Sequence, residues 1–291
     1  MNPLISVVIP TFNREKVLKR AIDSVISQTY ENWEIIVVDN CSKDHTENTV
    51  FSYSNPNIKL TSVDNDGVIG LSRNLGIQKA NGSLIAFLDS DDWWDKIKLE
   101  CTLKHFDESL DIIYHDCYIS TDSSTQLTNC RNLKHNVLSD LIKNGNTLVV
   151  SSVVAKKKSL LEAGCFSEEK EVVGWEDYHL WLKLAENNCV FKKIEGGLGH
   201  WWRGGDNFDS PERSLHNIEQ MKVYFPRKNS NYFFLERASW LNYAKGKAQM
   251  KLGNRKQSLI EFTRILIGHS SIMYKIKAIY FLLRMILHVK S

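Results

Sequence analysis

Gly82-Ser83-Leu84-Ile85-Ala86-Phe87-Leu88-Asp89-Ser90-Asp91-Asp92-Trp93-Trp94 is the stretch from which the fold can be read. Its apolar run, Leu84 to Leu88, goes directly into a cluster of aspartates. A short run without polar alternation is the pattern of a strand buried on both faces, as in a parallel sheet. Carboxylates placed straight after such a strand lie at its carboxyl end, where open α/β sheets bind their ligands.

The same unit recurs upstream. Ile5-Ser6-Val7-Val8-Ile9 is an apolar run stopped by Pro10, and the helix expected from about Arg14 repeats Val17, Leu18, Ala21, Ile22, Val25 and Ile26 on one face. Ile35-Ile36-Val37-Val38 ends at Asp39, and the turn Asn40-Cys41-Ser42-Lys43-Asp44 leads into a short helix. A third strand at 58–63 precedes the turn-rich Asp64-Asn65-Asp66-Gly67, and a helix over 71–80 stops at Asn81-Gly82. Four β-α units within about 90 residues predict a doubly wound α/β sheet. Asp39, Asp64, Asp66, Asp89, Asp91 and Asp92 would then share the ligand-binding edge.

Downstream the pattern is mixed. Ile112-Ile113-Tyr114 and 149–154 read as strands, and 119–136, rich in Ser, Thr and Asn, as a long loop. Glu176 to Glu186 reads as a helix whose first turn holds two carboxylates. From Pro211 onward the chain reads as helical, with 238–252 and 256–266 forming a hairpin that turns at Gly253-Asn254.

Composition limits the function classes. The chain has 291 residues, 43% hydrophobic and 24% charged, which is the balance of a soluble globular protein and excludes disorder, collagen and a polytopic membrane protein. A net charge of +3 is too small at this length to indicate a nucleic-acid partner. Six scattered cysteines form no C-x-x-C pair, and Met1-Asn2-Pro3 leads into an apolar run without a basic segment or cleavage site. Free thiols without an export signal predict the cytoplasm.

The aspartate cluster admits two readings. Hard cations such as Mg²⁺ or Mn²⁺ want oxygen ligands and leave positions open for phosphate oxygens. On an extended exit Asp89 and Asp91 would reach one small region, the one gripping a ribose and the other a metal. Alternatively, Asp92 or Asp95 starts the next helix as a cap. The strand ahead of the cluster and the other strand-end acids favour the first.

Five segments together carry a family resemblance. Ser6-Val7-Val8-Ile9-Pro10-Thr11-Phe12-Asn13-Arg14, Glu34-Ile35-Ile36-Val37-Val38-Asp39, Ser72-Arg73-Asn74-Leu75-Gly76-Ile77, the stretch quoted first, and Gly174-Trp175-Glu176-Asp177-Tyr178-His179-Leu180-Trp181-Leu182 resemble the motifs of glycosyltransferase family 2, in order, over residues 5–207. The resemblance implies a GT-A-type nucleotide-binding doubly wound sheet, here with a C-terminal helical extension. It also implies sugar transfer from a nucleotide donor with inversion, as in bacterial O-antigen and capsule synthesis. The expected division is a catalytic domain over 1–210, with a nucleotide half at 1–110 and an acceptor half at 111–210, and a helical region over 211–291. Carried over by motif, Pro10, Thr11, Asn13 and Arg14 would line the nucleotide pocket, and Asp39 would accept a hydrogen bond from the base, usually uracil. Arg73 would help hold the nucleotide. Asp89, with Ser90 beside it, would touch the ribose. Asp91, with Asp89, would bind Mn²⁺ or Mg²⁺ on the diphosphate. Asp177, or in its place Glu176, would be the catalytic base. The family's Arg-x-His-like closing segment reads here His200-Trp201-Trp202-Arg203-Gly204-Gly205-Asp206-Asn207, with glycine where the histidine would fall; Arg203 would still pair with phosphate.

These roles make chemical sense. Negative charge grows on the leaving diphosphate, and a bound divalent cation counters it. On the opposite face the acceptor hydroxyl loses a proton to a carboxylate. Competing classes lack their marks. A sugar nucleotidyltransferase or a dinucleotide oxidoreductase would carry a Gly-rich loop where Pro10-Thr11-Phe12-Asn13-Arg14 stands. A non-catalytic carbohydrate- or protein-binding module would leave the strand-end acids without a task.

Between Ile272 and Ser291 the chain is apolar but punctuated by Lys275, Lys277, Arg284 and Lys290, too often for a spanning helix. Lys277, Arg284 and His288 form a narrow basic stripe. Such a helix either lies in the headgroup region of an anionic membrane or packs on protein. A membrane-surface position would suit a UDP-sugar donor meeting a saccharide acceptor on a polyprenyl diphosphate, at the inner face of the cytoplasmic membrane.

Overall fold

β1 (Ile5–Thr11), α1 (Glu15–Ile26), β2 (Trp33–Asp39), α2 (Thr46–Phe51), β3 (Ile58–Ser62), α3 (Ile69–Lys79) and β4 (Leu84–Phe87) form the alternating first half. β5 (Trp93–Trp94), α4 (Lys98–His105), β6 (Ile112–Ser120), β7 (Thr125–Leu127), α5 (Val137–Asn144), β8 (Val154–Lys156), α6 (Lys157–Glu162), α7 (Glu176–Glu186) and β9 (Phe191–Trp202) follow. The chain ends in α8 (Pro211–Lys228), α9 (Ser239–Lys251), α10 (Arg255–Ile267) and α11 (Ile272–Ile286). The computed structural model describes residues 2–133, 136–204, 210–228, 238–268, 270 and 272–287.

The strands join one sheet in the order β3-β2-β1-β4-β8-β6-β9-β5, with β7 added to β6. β3, β2, β1 and β4 are parallel, with Thr11 opposite Asp39 and Asp39 opposite Ser62, so their carboxyl ends line up. β8 is antiparallel to both β4 and β6, and β9 runs parallel to β6. Strands β1 and β2 are buried along their whole length, which is why they read as unbroken apolar runs. On one face of the sheet, Ile5, Val7, Ile9, Ile35 and Val37 pack against Leu18, Ala21, Ile22 and Val25 of α1. Each such side chain contributes about 1.5–3 kcal/mol relative to exposure. On the other face α3 crosses closely: a Cβ on Gly76 would stand 2.3 Å from Val8 Cγ1, so only glycine fits there.

The structure departs from the sequence reading at several places. Residues 149–154 are not one strand: Val150–Ser152 form a 3₁₀ turn, and only Val154–Lys156 pairs with the sheet. The turn lets Ser151 face the aspartate loop. The polar stretch 119–136 is not all loop, because β7 folds back on β6 as a hairpin, Ser120 opposite Thr125. Its side chains are exposed, so it carries no apolar signal. His200 to Trp202 of the expected closing segment lie within the last strand, β9.

The chain divides into two compact units, Met1–Val137 with Thr147–Gly205, and Leu138–Asn146 with Asp206–Ser291. The second is helical. Its core is Phe262, Ile265, Tyr274, Ala278 and Met285, and the Phe262 and Phe281 rings stack at 5.4 Å. Most of α5 belongs to it: Trp240 Nε1 donates to the Ile142 carbonyl and the Tyr274 hydroxyl to that of Asn144. Buried Glu261 is paired with Arg264 at 3.1 Å and Lys245 at 3.6 Å. Among the described residues no helix is long and apolar enough to cross a membrane.

Candidate active site

The residues expected to line the nucleotide pocket gather where β1 and β2 end. Thr11 is buried, and its Oγ1 has no hydrogen-bond partner among the described residues. Asn13 sits in the left-handed region at φ 51°, which asparagine tolerates, and this turns the chain out of β1, which contains Pro10, toward α1. Its amide clasps the facing loop: Asn13 Oδ1 accepts from the Lys43 N–H and its own N–H donates to Ser42 Oγ. Both Asp39 oxygens accept from Ser42, one from its hydroxyl and one from its N–H. Arg14 is exposed, and its guanidinium lies 3.8 Å from Asp91.

The aspartate loop is a turn, not the extended exit expected from sequence, and the Asp92 N–H donates to the Asp89 carbonyl at 3.0 Å. Asp92 caps no helix. One of its oxygens accepts from Ser151 Oγ and the other from the Trp202 N–H, so it ties the loop to the 3₁₀ turn and to β9. Asp92 is buried at 1% exposure, and burial, then the charges of Asp89 and Asp91, push its proton affinity well up. The Asp89 N–H donates to Ser151 Oγ, and Arg20 Nη2 to the Asp91 carbonyl at 2.7 Å. Asp91, with Ser90 beside it, is buried; burial, then Asp89, raise its proton affinity, opposed by Arg14 and Arg20.

Arg73 joins this loop to α7. It is 3% exposed, with Nη2 2.8 Å from Asp89 and Nη1 2.7 Å from Glu176. A planar fork can hold two carboxylates in this way where an ammonium cannot. Burial alone would lower its proton affinity, but Asp89 and Glu176 raise it above the ordinary value. The neighbours of Arg73 fix α3: Ser72 Oγ accepts from Asn65, and the Asn74 amide exchanges two hydrogen bonds with the Phe166 backbone. Glu176 is thus committed to Arg73 and to the Gly174 N–H. Asp177 is half-buried at the helix start and accepts from the Tyr178 N–H.

Trp93 closes one side. It stacks on His200 at 4.6 Å, and His200 on Tyr118 at 5.2 Å. His200 Nδ1 also meets Ser120 Oγ. Arg20 lies over the Trp93 ring at 3.7 Å and the Trp202 ring at 4.9 Å. Arg203 is half-buried over Trp201, its N–H donating to the Ser120 carbonyl. Residues 205–207 of the closing segment lie outside the described residues. Trp94 and Trp175 are buried, Trp94 donating to the Ser151 carbonyl.

A model described as glycosyl transferase family 2 matches residues 6–161, more than half of the chain. The chain belongs to glycosyl transferase family 2. Among its relatives is the Escherichia coli protein named UDP-Glc:alpha-D-GlcNAc-diphosphoundecaprenol beta-1,3-glucosyltransferase WfgD, 33% identical over 191 residues, covering 64% of this chain and 72% of that one. A colanic acid biosynthesis glycosyl transferase of E. coli, WcaA, described as putative, is 40% identical over 107 residues, covering 36% and 38%. Other relatives are longer; the chain covers only 27% of an uncharacterized glycosyltransferase of Rickettsia bellii. Solved structures share the GT-A fold. S. aureus TarS 1–349 in complex with UDP-GlcNAc has a TM-score of 0.58 at 20% identity, covering 90% of this chain and 80% of that one. Mannosyltransferase PcManGT of Pyrobaculum calidifontis, in complex with GDP-Man and Mn²⁺, has 0.62 at 15%, covering 97% and 81%.

For this family 2 chain the donor set can be tested against a metal. Asp92 is consumed by Ser151 and Trp202, which leaves the oxygens of Asp91 and Asp89. Among the described residues no group of three or more His, Cys, Asp or Glu could hold an ion. Two hard oxygen donors fit Mg²⁺ or Mn²⁺, whose remaining positions diphosphate oxygens and water would fill. Burial first and the Asp89 charge second raise the proton affinity of Asp91, and a divalent cation would relieve that penalty on its charged form.

Sequence reasoning missed Arg20 and Ser151. Arg20 sits among the apolar residues of α1 and Ser151 within an apolar run, so both read as incidental polar positions. Glu176 and Asp177 lie beyond the matched span, and their place in the site rests on the Arg73 bridge.

Proposed function

We propose that the chain is an inverting, metal-assisted glycosyltransferase. It moves a hexose from a UDP-sugar to a hydroxyl of a saccharide carried on a polyprenyl diphosphate, forming a β-linkage in bacterial surface-polysaccharide (O-antigen) repeat-unit synthesis. The observation that carries this reading is the Arg73 guanidinium held between Asp89 and Glu176. It couples the strand-end acids, suited to a nucleotide diphosphate, to the helix bearing a second carboxylate, Asp177. Support for donor and acceptor comes from WfgD, whose name specifies UDP-Glc and a GlcNAc-diphosphoundecaprenol.

On this reading Thr11, Asn13 and Asp39 receive the nucleotide, Thr11 with a hydroxyl that has no hydrogen-bond partner among the described residues and Asp39 as acceptor for the base. Pro10 and Asn13 shape the wall, Arg14 and Arg203 face phosphate, and Asp89 with Ser90 holds the ribose. Asp91, with Asp89, would hold Mn²⁺ or Mg²⁺, which when bound supplies counter-charge to the departing diphosphate. Asp177 takes the proton of the attacking hydroxyl, because Glu176 is committed to Arg73 and Gly174. All of these residues lie in the first compact unit, Met1–Val137 with Thr147–Gly205. Such an enzyme works at the cytoplasmic face of the membrane.

Transfer from UDP-glucose to a synthetic lipid-diphosphate GlcNAc tests this. Asp177→Asn should lower kcat by about 10²–10⁴-fold with an unchanged melting temperature. Asp91→Asn should abolish Mn²⁺-dependent transfer. Unaltered transfer by Asp177→Asn removes the base, and unaltered transfer by Asp91→Asn removes the metal assignment.

A further inference from the structure

α11 is apolar on two opposite faces. Tyr274, Ala278 and Met285 face the core of the helical unit. On the other side Ile272, Ile276, Ile279, Tyr280, Leu283 and Leu287 are each between 47% and 79% exposed. At about 100° per residue these six and Met273 fall in one arc about 120° wide. Lys275 borders the arc on one edge, and Arg284 and Lys277 on the other. Lys277 lies 5.3 Å from the Tyr274 ring, at the margin of the packed face. The basic stripe read from sequence is therefore one border of an uncovered apolar face; its third member, His288, and Lys290 lie outside the described residues.

The charge distribution says what covers this face. Residues 251–291 contain eight Lys and Arg and one acid, Glu261, which is buried and internally paired. Because the whole chain has 37 cations and 34 acids, the first 250 residues hold 29 and 33 and are net negative. Positive charge is thus concentrated on the segment that exposes the apolar arc. Long cationic side chains beside an apolar strip can keep their charges in a headgroup layer while the strip enters the acyl boundary.

We infer that the outer face of α11 (Ile272, Ile276, Ile279, Leu283 and Leu287, bordered by Lys275 and Arg284) docks in the plane of an anionic lipid bilayer. This deepens the reading of a lipid-carried acceptor and rests on it for its purpose, but vesicles without any acceptor provide the test. The full chain should co-sediment with phosphatidylglycerol-containing vesicles more strongly than with phosphatidylcholine vesicles, and high salt should reduce the difference. Ile276→Asp/Leu283→Asp should lower partitioning at least about tenfold, since each residue loses a buried aliphatic side chain. Lys275→Glu/Arg284→Glu should remove the preference for anionic vesicles. Both double variants should melt like the wild type, because the altered side chains lie off the packed face. Asp177→Asn should bind vesicles as the wild type does, so failure of the transferase reading and failure of this one are read separately. Equal partitioning of the aspartate double variant, or no binding by the wild type, overturns the inference. So does a wild-type dimer in vesicle-free buffer that Ile276→Asp/Leu283→Asp makes monomeric, which would assign the face to a second copy.

Discussion

Arg73 bridges Asp89 and Glu176 across the candidate site. Removing one partner of a buried ion pair leaves an uncompensated charge, at a cost of about 3–5 kcal/mol. Arg73→Lys keeps the charge but offers one ammonium to two carboxylates. It should lower the chemical-denaturation midpoint and reduce kcat/KM by about 10²-fold, as small misplacements of catalytic groups do. Wild-type values for both would show that the bridge is dispensable. Lys98 makes the opposite case. It is fully buried, its Nζ lies 3.7 Å above the Trp94 ring, and it has no hydrogen-bond partner among the described residues. Burial pushes it down to about 7, with Cys117 opposing. Between about 7 and 10.5 the unfolded chain binds the extra proton, so this lysine's penalty is complete below pH 7 and fades as pH rises through that window. Lys98→Met should therefore raise the urea midpoint most at pH 6–7 and least near pH 10; a gain that does not vary with pH would contradict the assignment. Neither role was visible in the sequence. Arg73 stands in the Ser72–Ile77 motif, but its carboxylate partners lie 16 and 103 residues away in the chain, so the bridge is not legible there.

At the scale of elements, strands were legible where both faces are buried and poorly legible where pairing is local or short. β1, β2 and β4 announce themselves as apolar runs, whereas β7 is exposed and the 3₁₀ turn at Val150–Ser152 is hidden inside an apolar run. α1 was predicted from its buried face, yet its contribution to the site comes from Arg20, which holds the Asp91 carbonyl and fills the gap between Trp93 and Trp202. Arg20→Ala should loosen the aspartate loop and lower kcat/KM for the donor by about 10–10²-fold, with the melting temperature little changed. A uniform loss of stability without a kinetic effect would make Arg20 a packing residue only. β2 supplies a second check. Burial works against the Glu34 charge, but hydrogen bonds from Lys59, Ser6 and the backbone and side chain of Asn81 hold it at about 2. A carboxylate depressed in the fold stabilises above its ordinary range and loses that contribution as pH falls toward 2. Glu34→Gln should flatten the decline of the urea midpoint below pH 4.5; an unchanged slope would contradict this pairing.

For the whole molecule, the family and fold were legible because five motifs lie on strands, strand-end loops and helices of the first compact unit. The inclusion of 138–146 in the helical unit was not, since it depends on Trp240 and Tyr274 reaching the Ile142 and Asn144 carbonyls. The proposed function requires that the strand-end acids bind a uridine diphosphate together with a divalent cation. Thermal stabilisation by UDP, GDP and ADP, each with and without Mn²⁺, tests it on wild type and Asp91→Asn, because a ligand that binds only the folded state raises its stability with concentration. The expected result is a shift with UDP that grows with Mn²⁺ and is lost in Asp91→Asn. A preference for GDP, a UDP shift indifferent to Mn²⁺, or no shift with any nucleotide would contradict it.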